Sequence, residues 1–261
     1  MSVPRETGIL LKDYAAVTGG GVGYSRFPVQ ACSITIGAEI KSHLEKCGAM
    51  DPIDKLTAGF KEFRDDGFEH KRATYEALVD QGQKPNVALI ACSDSRVDPA
   101  MVLQADPGDL FVVRNVANLV PPYERDGVYH GTSAALEYAV QHIGVEHLVV
   151  FGHAHCGGIR SLFVEPGEEG EGNQFVPPWM SLVRSAYLRV QGTMPNASDD
   201  EKARYCEQSA VLVSLENLMT FPCIRERVGD GRLHLHGWYI DIRSCSLHIY
   251  DPVEQRFEPV D

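Results

Sequence analysis

Three short, uninterrupted apolar runs constrain this chain more than any other feature: Val87-Ala88-Leu89-Ile90-Ala91, Leu110-Phe111-Val112-Val113, and Leu148-Val149-Val150-Phe151 behind His147. Runs without a polar alternate suit strands buried on both faces, the condition of a parallel sheet covered by helices. Helical spacing fills the gap before the third run, through Ala135, Leu136, Ala139 and Val140 between Thr132 and Ile143. Further helices are predicted over Trp179 to Val190 and over Glu201 to Met219, the second ended near Pro222. Leu233 to Ile242 and Ser246 to Tyr250 read as late strands, and the acidic, Gly-rich stretch from Glu165 to Gly172 as a loop. Strands alternating with helices predict an α/β fold, with a mainly parallel central β-sheet of about four to five strands flanked by helices.

Residues 1–50 differ from the rest. Gly19-Gly20-Gly21-Val22-Gly23 is too glycine-rich for a stable element. The expected organisation is a peripheral or poorly ordered extension over 1–50 followed by a single domain over 51–261. From Asp51 to Gln81, Leu56, Phe60, Phe63, Tyr75 and Leu78 recur at helical spacing and predict an N-terminal helical arm, with Gly67 marking a join. The net charge of -12 argues against a nucleic-acid surface. No apolar run reaches the roughly 20 residues that span a bilayer, so no membrane partner is expected. The first residues lack the basic and apolar regions of a signal peptide. Seven cysteines without regular spacing suit a reducing compartment. The expectation is the cytoplasm, with organellar targeting by the extension left open.

Two of the strands run into reactive residues. The first leads to Cys92-Ser93-Asp94-Ser95-Arg96 and the third to Gly152-His153-Ala154-His155-Cys156-Gly157-Gly158. Ligands of open α/β sheets bind beyond the carboxyl ends of strands, where both segments would lie. Two thiolates and an imidazole suit Zn²⁺, and three protein ligands leave a fourth position for water. The plain alternative is two core thiols and a hydrogen-bonded core histidine. The paired glycines weaken it, since they permit close backbone approach. Asp94 and Arg96 weaken it further, because charges at a buried strand end need partners. His234-x-His236 alternates with Leu233 and Leu235, which marks one face of a strand rather than a pair of ligands.

Three segments in order, Cys92-Ser-Asp-Ser-Arg96, Pro107-Gly-Asp-Leu-Phe-Val-Val-Arg-Asn-Val-Ala-Asn118 and His153-x-x-Cys156-Gly-Gly158, resemble the β-class carbonic anhydrases, most specifically from Gln83 to Ile159. The resemblance implies reversible, zinc-dependent hydration of carbon dioxide to bicarbonate and a proton, by attack of zinc-bound hydroxide. One Zn²⁺ per subunit would be held by Cys92, His153 and Cys156. Asp94, held by Arg96, would orient the hydroxide; lying two residues apart in an extended segment, the pair would point the same way. Phe111, Val116 and Tyr138 would wall the substrate pocket, with Gln83 and the Gly157 amide as donors. Gln83, Phe111, Val116 and Tyr138 would reach in from a neighbouring subunit, which implies a homo-oligomer, a dimer or a multiple of dimers.

His142, one helical turn after Tyr138, matches a proton shuttle in plant-type members; His155 is a second candidate and a competitor for the metal. Leu89 stands where bicarbonate-regulated members carry tryptophan, which points to the plant-like subclass. Carbonyl sulfide or carbon disulfide hydrolysis, and a closed structural zinc module, are the rival functions.

Overall fold

The computed structural model describes residues 50–125, 129–164 and 174–260. The chain divides into two units, 1–64 and 65–261. The expected extension up to residue 49 and the whole of the acidic loop at 165–172 lie outside the described residues.

The first unit contains α1 (Pro52–Glu62), where Asp51 accepts a hydrogen bond from the Ile53 amide and proline occupies the first turn. Pro at that position costs no intrahelical bond and presets the helical φ. None of its residues is buried; Ile53, Leu56 and Phe60 stand 65%, 69% and 63% exposed. A π-helical segment follows over Phe63–Gly67.

The second unit opens with α2 (Phe68–Gln81), ended by Gly82 at φ 76°. Then come β1 (Val87–Cys92), α3 (Pro99–Val102), β2 (Leu110–Asn115), α4 (Gly131–Glu137) with a π-helical extension over Tyr138–Ile143, and β3 (His147–His153). After them follow α5 (Gly157–Arg160), α6 (Val176–Met180), α7 (Arg184–Thr193), α8 (Asp199–Leu218), α9 (Pro222–Gly229), β4 (His234–Asp241), β5 (Ser246–Asp251) and β6 (Arg256–Pro259). Helix α8 starts two residues before the predicted point because Ser198 and Glu201 form a reciprocal capping box.

The strands form one six-stranded sheet in the order β2-β1-β3-β4-β5-β6, parallel through β4 and antiparallel thereafter. The α/β, mainly parallel reading holds. The sixth strand, Arg256–Pro259, adds an antiparallel edge that its short, charged sequence did not announce. Alternate residues serve opposite faces. Ala88, Ile90, Leu148 and Val150 join Leu136, Val140, Val211 and Ile224 in one core; Leu89, Ala91, Val149 and Phe151 join Val97 in the other. Burial on both faces accounts for the unbroken runs of β1 and β3, whereas β2 lies at the sheet edge, half-buried to exposed, so the second run is not the doubly buried strand expected.

Register decides where the reactive residues arrive. Cys92 is aligned with Asn115, and Ala91 with Phe151, so β1 and β3 end at one level of the sheet. Their continuations leave the same edge.

Candidate metal centre

Cys92, at the last position of β1, and His153, at the last position of β3, meet Cys156, the residue capping α5. One ligand atom from each lies within 4.8 Å of the others, and all three residues are buried. The two sulfurs are 3.9 Å apart. His153 Nδ1 donates to the Ala154 carbonyl at 2.8 Å. That bond fixes the tautomer and leaves Nε2 as the free lone pair, and Nε2 is buried with no hydrogen-bond partner. An orphaned imidazole nitrogen facing two thiols is costly as a plain core arrangement. It fits a soft divalent ion, and the plain-core alternative fails on this atom.

The electrostatics agree. Contact with Cys156, then with His153, holds the Cys92 thiol well below its usual range, whereas the neighbouring Cys92 and burial push Cys156 up. Together they carry one ready negative charge. Burial opposes a charge on His153, yet its contacts with Cys92 and the nearby Asp94 outweigh burial and raise its pKa.

Asp94 and Arg96 do pair, by a geometry different from the extended one expected. The segment after Cys92 turns, and the Asp94 carboxylate accepts the Arg96 amide at 2.9 Å, its Nε at 2.9 Å and its Nη2 at 2.7 Å. The guanidinium keeps Asp94 far below the usual carboxylate range. Asp94 Oδ2 stands 4.0 Å from His153 Nε2, so it faces the space the triad encloses. Arg96 Nη2 also donates to the His155 carbonyl at 2.9 Å, tying the two ligand-bearing loops together.

His155 is no rival ligand. Its backbone is left-handed at φ 56°, and its Nδ1 lies 2.8 Å from Arg160 Nη2, turned away from the triad. A Cβ added to Gly158 would meet Val116 Cγ1 at 2.9 Å and Ala117 Cβ at 3.1 Å, whereas one on Gly157 would meet nothing within 4 Å. Gly158 is therefore the position of close approach, and Gly157 presents open space beside Cys156. The same measurement puts Val116 against its own chain's Gly158.

Phe111 and Tyr138 lie together, with ring centroids 6.0 Å apart, and Tyr138 stacks on the exposed His142 at 5.3 Å. Phe111 is aligned with Ala88, four residues short of Cys92 on β1. That is roughly 13 Å along the strand from the triad of its own chain. Gln83 is exposed in the loop before β1.

Two supports escaped the sequence reading. Glu207, buried in α8, accepts the Cys156 amide at 3.0 Å and the Tyr239 hydroxyl at 2.8 Å. Burial raises its pKa against the pull of those two donors. Arg114 at the end of β2 donates to the carbonyls of Cys92, Asp94 and Val97 and to the Asp98 carboxylate, at 2.7–3.1 Å, clamping the loop that carries the dyad. A Glu inside a helical pattern carried no signal; Arg114, conspicuous at the end of an apolar run, offered one.

A mainly parallel sheet with two thiols and an imidazole gathered at its carboxyl edge defines a protein built to hold a soft divalent metal. The family model described as carbonic anhydrase matches residues 87–247. "Beta carbonic anhydrase 5, chloroplastic" of Arabidopsis thaliana is 39% identical over 208 residues, 78% of this chain and 66% of its own length. "Beta carbonic anhydrase 6, mitochondrial" of the same plant is 37% identical over 199 residues, 76% of this chain and 68% of its own length. The matched stretch thus spans about two thirds of these relatives. Among solved structures, the β-carbonic anhydrase CcaA superposes with a TM-score of 0.74 at 32% identity, over 80% of this chain and 92% of that one. A tetrameric β-carbonic anhydrase of Sordaria macrospora gives 0.60 at 27%, over 81% and 96%. The chain belongs to the β-class carbonic anhydrases, carbonate dehydratases by activity. Both curated relatives named here are plant proteins, in keeping with the plant-like subclass.

Proposed function

We propose that this chain interconverts carbon dioxide and bicarbonate at one Zn²⁺ per subunit, held by Cys92, His153 and Cys156. The observation that carries the proposal is the buried, unpartnered His153 Nε2 among two thiols with the Asp94 carboxylate alongside. A zinc ion held there by the three residues would supply an activated water as nucleophile at neutral pH. Asp94 would accept a hydrogen bond from the attacking water and so orient it toward carbon dioxide. Arg96 keeps Asp94 ionised, hence an acceptor only, and restrains it from turning toward the metal. The Gly157 amide donates to the oxygen on which bicarbonate charge develops.

Apolar walls suit an apolar substrate. Val116 supplies one from the same chain; Phe111, far along the strand from its own triad, Tyr138 beside it and Gln83 in the loop before β1 would serve the site of a neighbouring subunit. A homo-oligomer built from dimers follows. An apolar cleft of about 650 Å³ beside Val116 and Trp179 gives a partner subunit something to cover. His142, exposed and stacked on Tyr138, exports the proton to bulk water. Cys92, Cys156, Cys206, Cys223 and Cys245 are all unpaired, which suits a reducing compartment such as the cytoplasm. Among the described residues no helix is long and apolar enough to cross a membrane.

A closed structural zinc site is the second reading, and Asp94 is the fourth ligand it would need. Three hydrogen bonds from Arg96 hold Asp94 back, which favours the open site. Stopped-flow carbon dioxide hydration on protein of measured zinc content tests the proposal. One zinc per subunit with hydration is the expected result; full zinc without hydration supports the closed module, and no zinc ends both readings.

A further inference from the structure

At the opposite end of the sheet, the start of β3 and the start of β4 carry three histidines that the reaction does not use. His147 is aligned with His234 across the parallel pair, and His236 follows two residues later on the same face. His147 Nδ1 and His236 Nε2 are 3.1 Å apart, in a hydrogen bond that a bound cation would replace. The His147 ring lies 5.3 Å from that of His234 and 5.2 Å from that of His236.

We propose that His147, His234 and His236 form a second binding site, for a late first-row divalent cation such as Zn²⁺, Ni²⁺ or Cu²⁺. Imidazole is the neutral donor these ions favour. Two nitrogens bound tetrahedrally at about 2.0–2.1 Å from zinc stand about 3.4 Å from each other. The His147–His236 pair is preset within a few tenths of an ångström of that bite by the fixed register of two parallel strands. The third ligand is not yet in place, since the three side chains do not converge on one point as the catalytic triad does. His234 is exposed, and the proposal requires its side chain to turn toward the pair. Water completes the shell.

The site is independent of the catalytic one. His147 and His153 open and close the same strand, so the two centres lie roughly 20 Å apart. Their donor sets also differ, because three imidazoles without thiolate bind more weakly and exchange more freely than a centre with two sulfurs. This is the character of a site that fills only when free metal is plentiful.

The test is calorimetric titration of the zinc-loaded full chain with Ni²⁺ alone, with metal content measured before and after. The expected result is one Ni²⁺ per subunit bound beyond the catalytic zinc. His236→Gln should abolish that equivalent. His234→Gln should weaken it at least about tenfold, since even loss of an outer partner of a ligand costs 10–100-fold. Both variants should keep one zinc and the wild-type hydration rate, which also reports that they fold. On the wild type, paramagnetic Ni²⁺ should selectively broaden the ring signals of these three histidines. Absence of the added equivalent, or an equivalent that both variants bind as the wild type does, overturns the proposal, as does broadening confined to other histidines.

Discussion

Asp94 receives three hydrogen bonds from Arg96 and lies 4.0 Å from the free nitrogen of His153, so one carboxylate is both restrained and aimed. Replacing it by asparagine puts an N–H where an acceptor is needed while leaving the thiols untouched. Asp94→Asn should therefore retain one zinc per subunit and lose about 10²–10⁴-fold in kcat, the usual range for a proton-handling group; an unchanged kcat refutes the aiming role. The same pair makes stability depend on acid. A carboxyl whose folded pKa is depressed stabilises the fold above its unfolded value of about 3.9 and loses that contribution as pH falls toward the folded value. Denaturant midpoints of wild type and Asp94→Asn should accordingly differ at pH 6 and still at pH 4, and draw together only as the pH falls from there toward the depressed folded value.

Glu207 acts one step further out. Leucine there strands the Cys156 amide and the Tyr239 hydroxyl in the core, at about 1–3 kcal/mol for each unsatisfied group. Glutamine keeps an acceptor for the amide. Glu207→Leu should lose zinc to a chelator much faster than Glu207→Gln, and equal rates would show that the bond does not position Cys156. Of this site, the ligands and the dyad were legible because their residue types stand together at strand ends. Glu207 was not legible, because its value arises from α8 passing beneath Cys156, more than fifty residues away in sequence and adjacent only once folded.

At the scale of elements, the apolar runs announced β1 and β3 well, since burial on both faces leaves no polar alternation to blur them. Edge elements were harder to read. Strand β2 mixes exposed Val112 with half-buried neighbours, and β6 depends on pairing with β5 rather than on its own composition. The turn from β3 into α5 was read through its two glycines, and the folded chain distinguishes them. Alanine at Gly158 drives a methyl into the side chains of Val116 and Ala117, and the Ala117 methyl can yield only if its backbone moves. Gly158→Ala should cost about 1–3 kcal/mol, as overpacking does, and lower the melting temperature together with zinc retention. Gly157→Ala keeps the amide and enters open space, so its stability should match the wild type. Equal melting temperatures for the two variants would contradict the packing described for this turn.

For the whole molecule, the decisive question is whether one chain completes its own site. Helix α1 displays Ile53, Leu56 and Phe60 to solvent, an apolar stripe that a helix of a soluble protein ordinarily covers. Within the second unit, Phe111 and Tyr138 lie well short of the triad along the sheet, although the resemblance makes them pocket walls. Both facts are satisfied if a second copy covers the first chain and lends those residues to it. Subunit mixing decides the matter. Cys92→Ala cannot hold the metal but carries an intact Gln83, Phe111 and Tyr138; a Gln83→Ala/Tyr138→Ala double variant has an intact triad but a damaged pocket. Each alone should be nearly inactive. After co-expression about half of the dimers are mixed, and each mixed dimer has one whole site, so activity should return to about a quarter of the wild-type level. If every chain instead built its site from its own residues, no mixed dimer would contain an intact one, and activity would stay at the level of the separate variants.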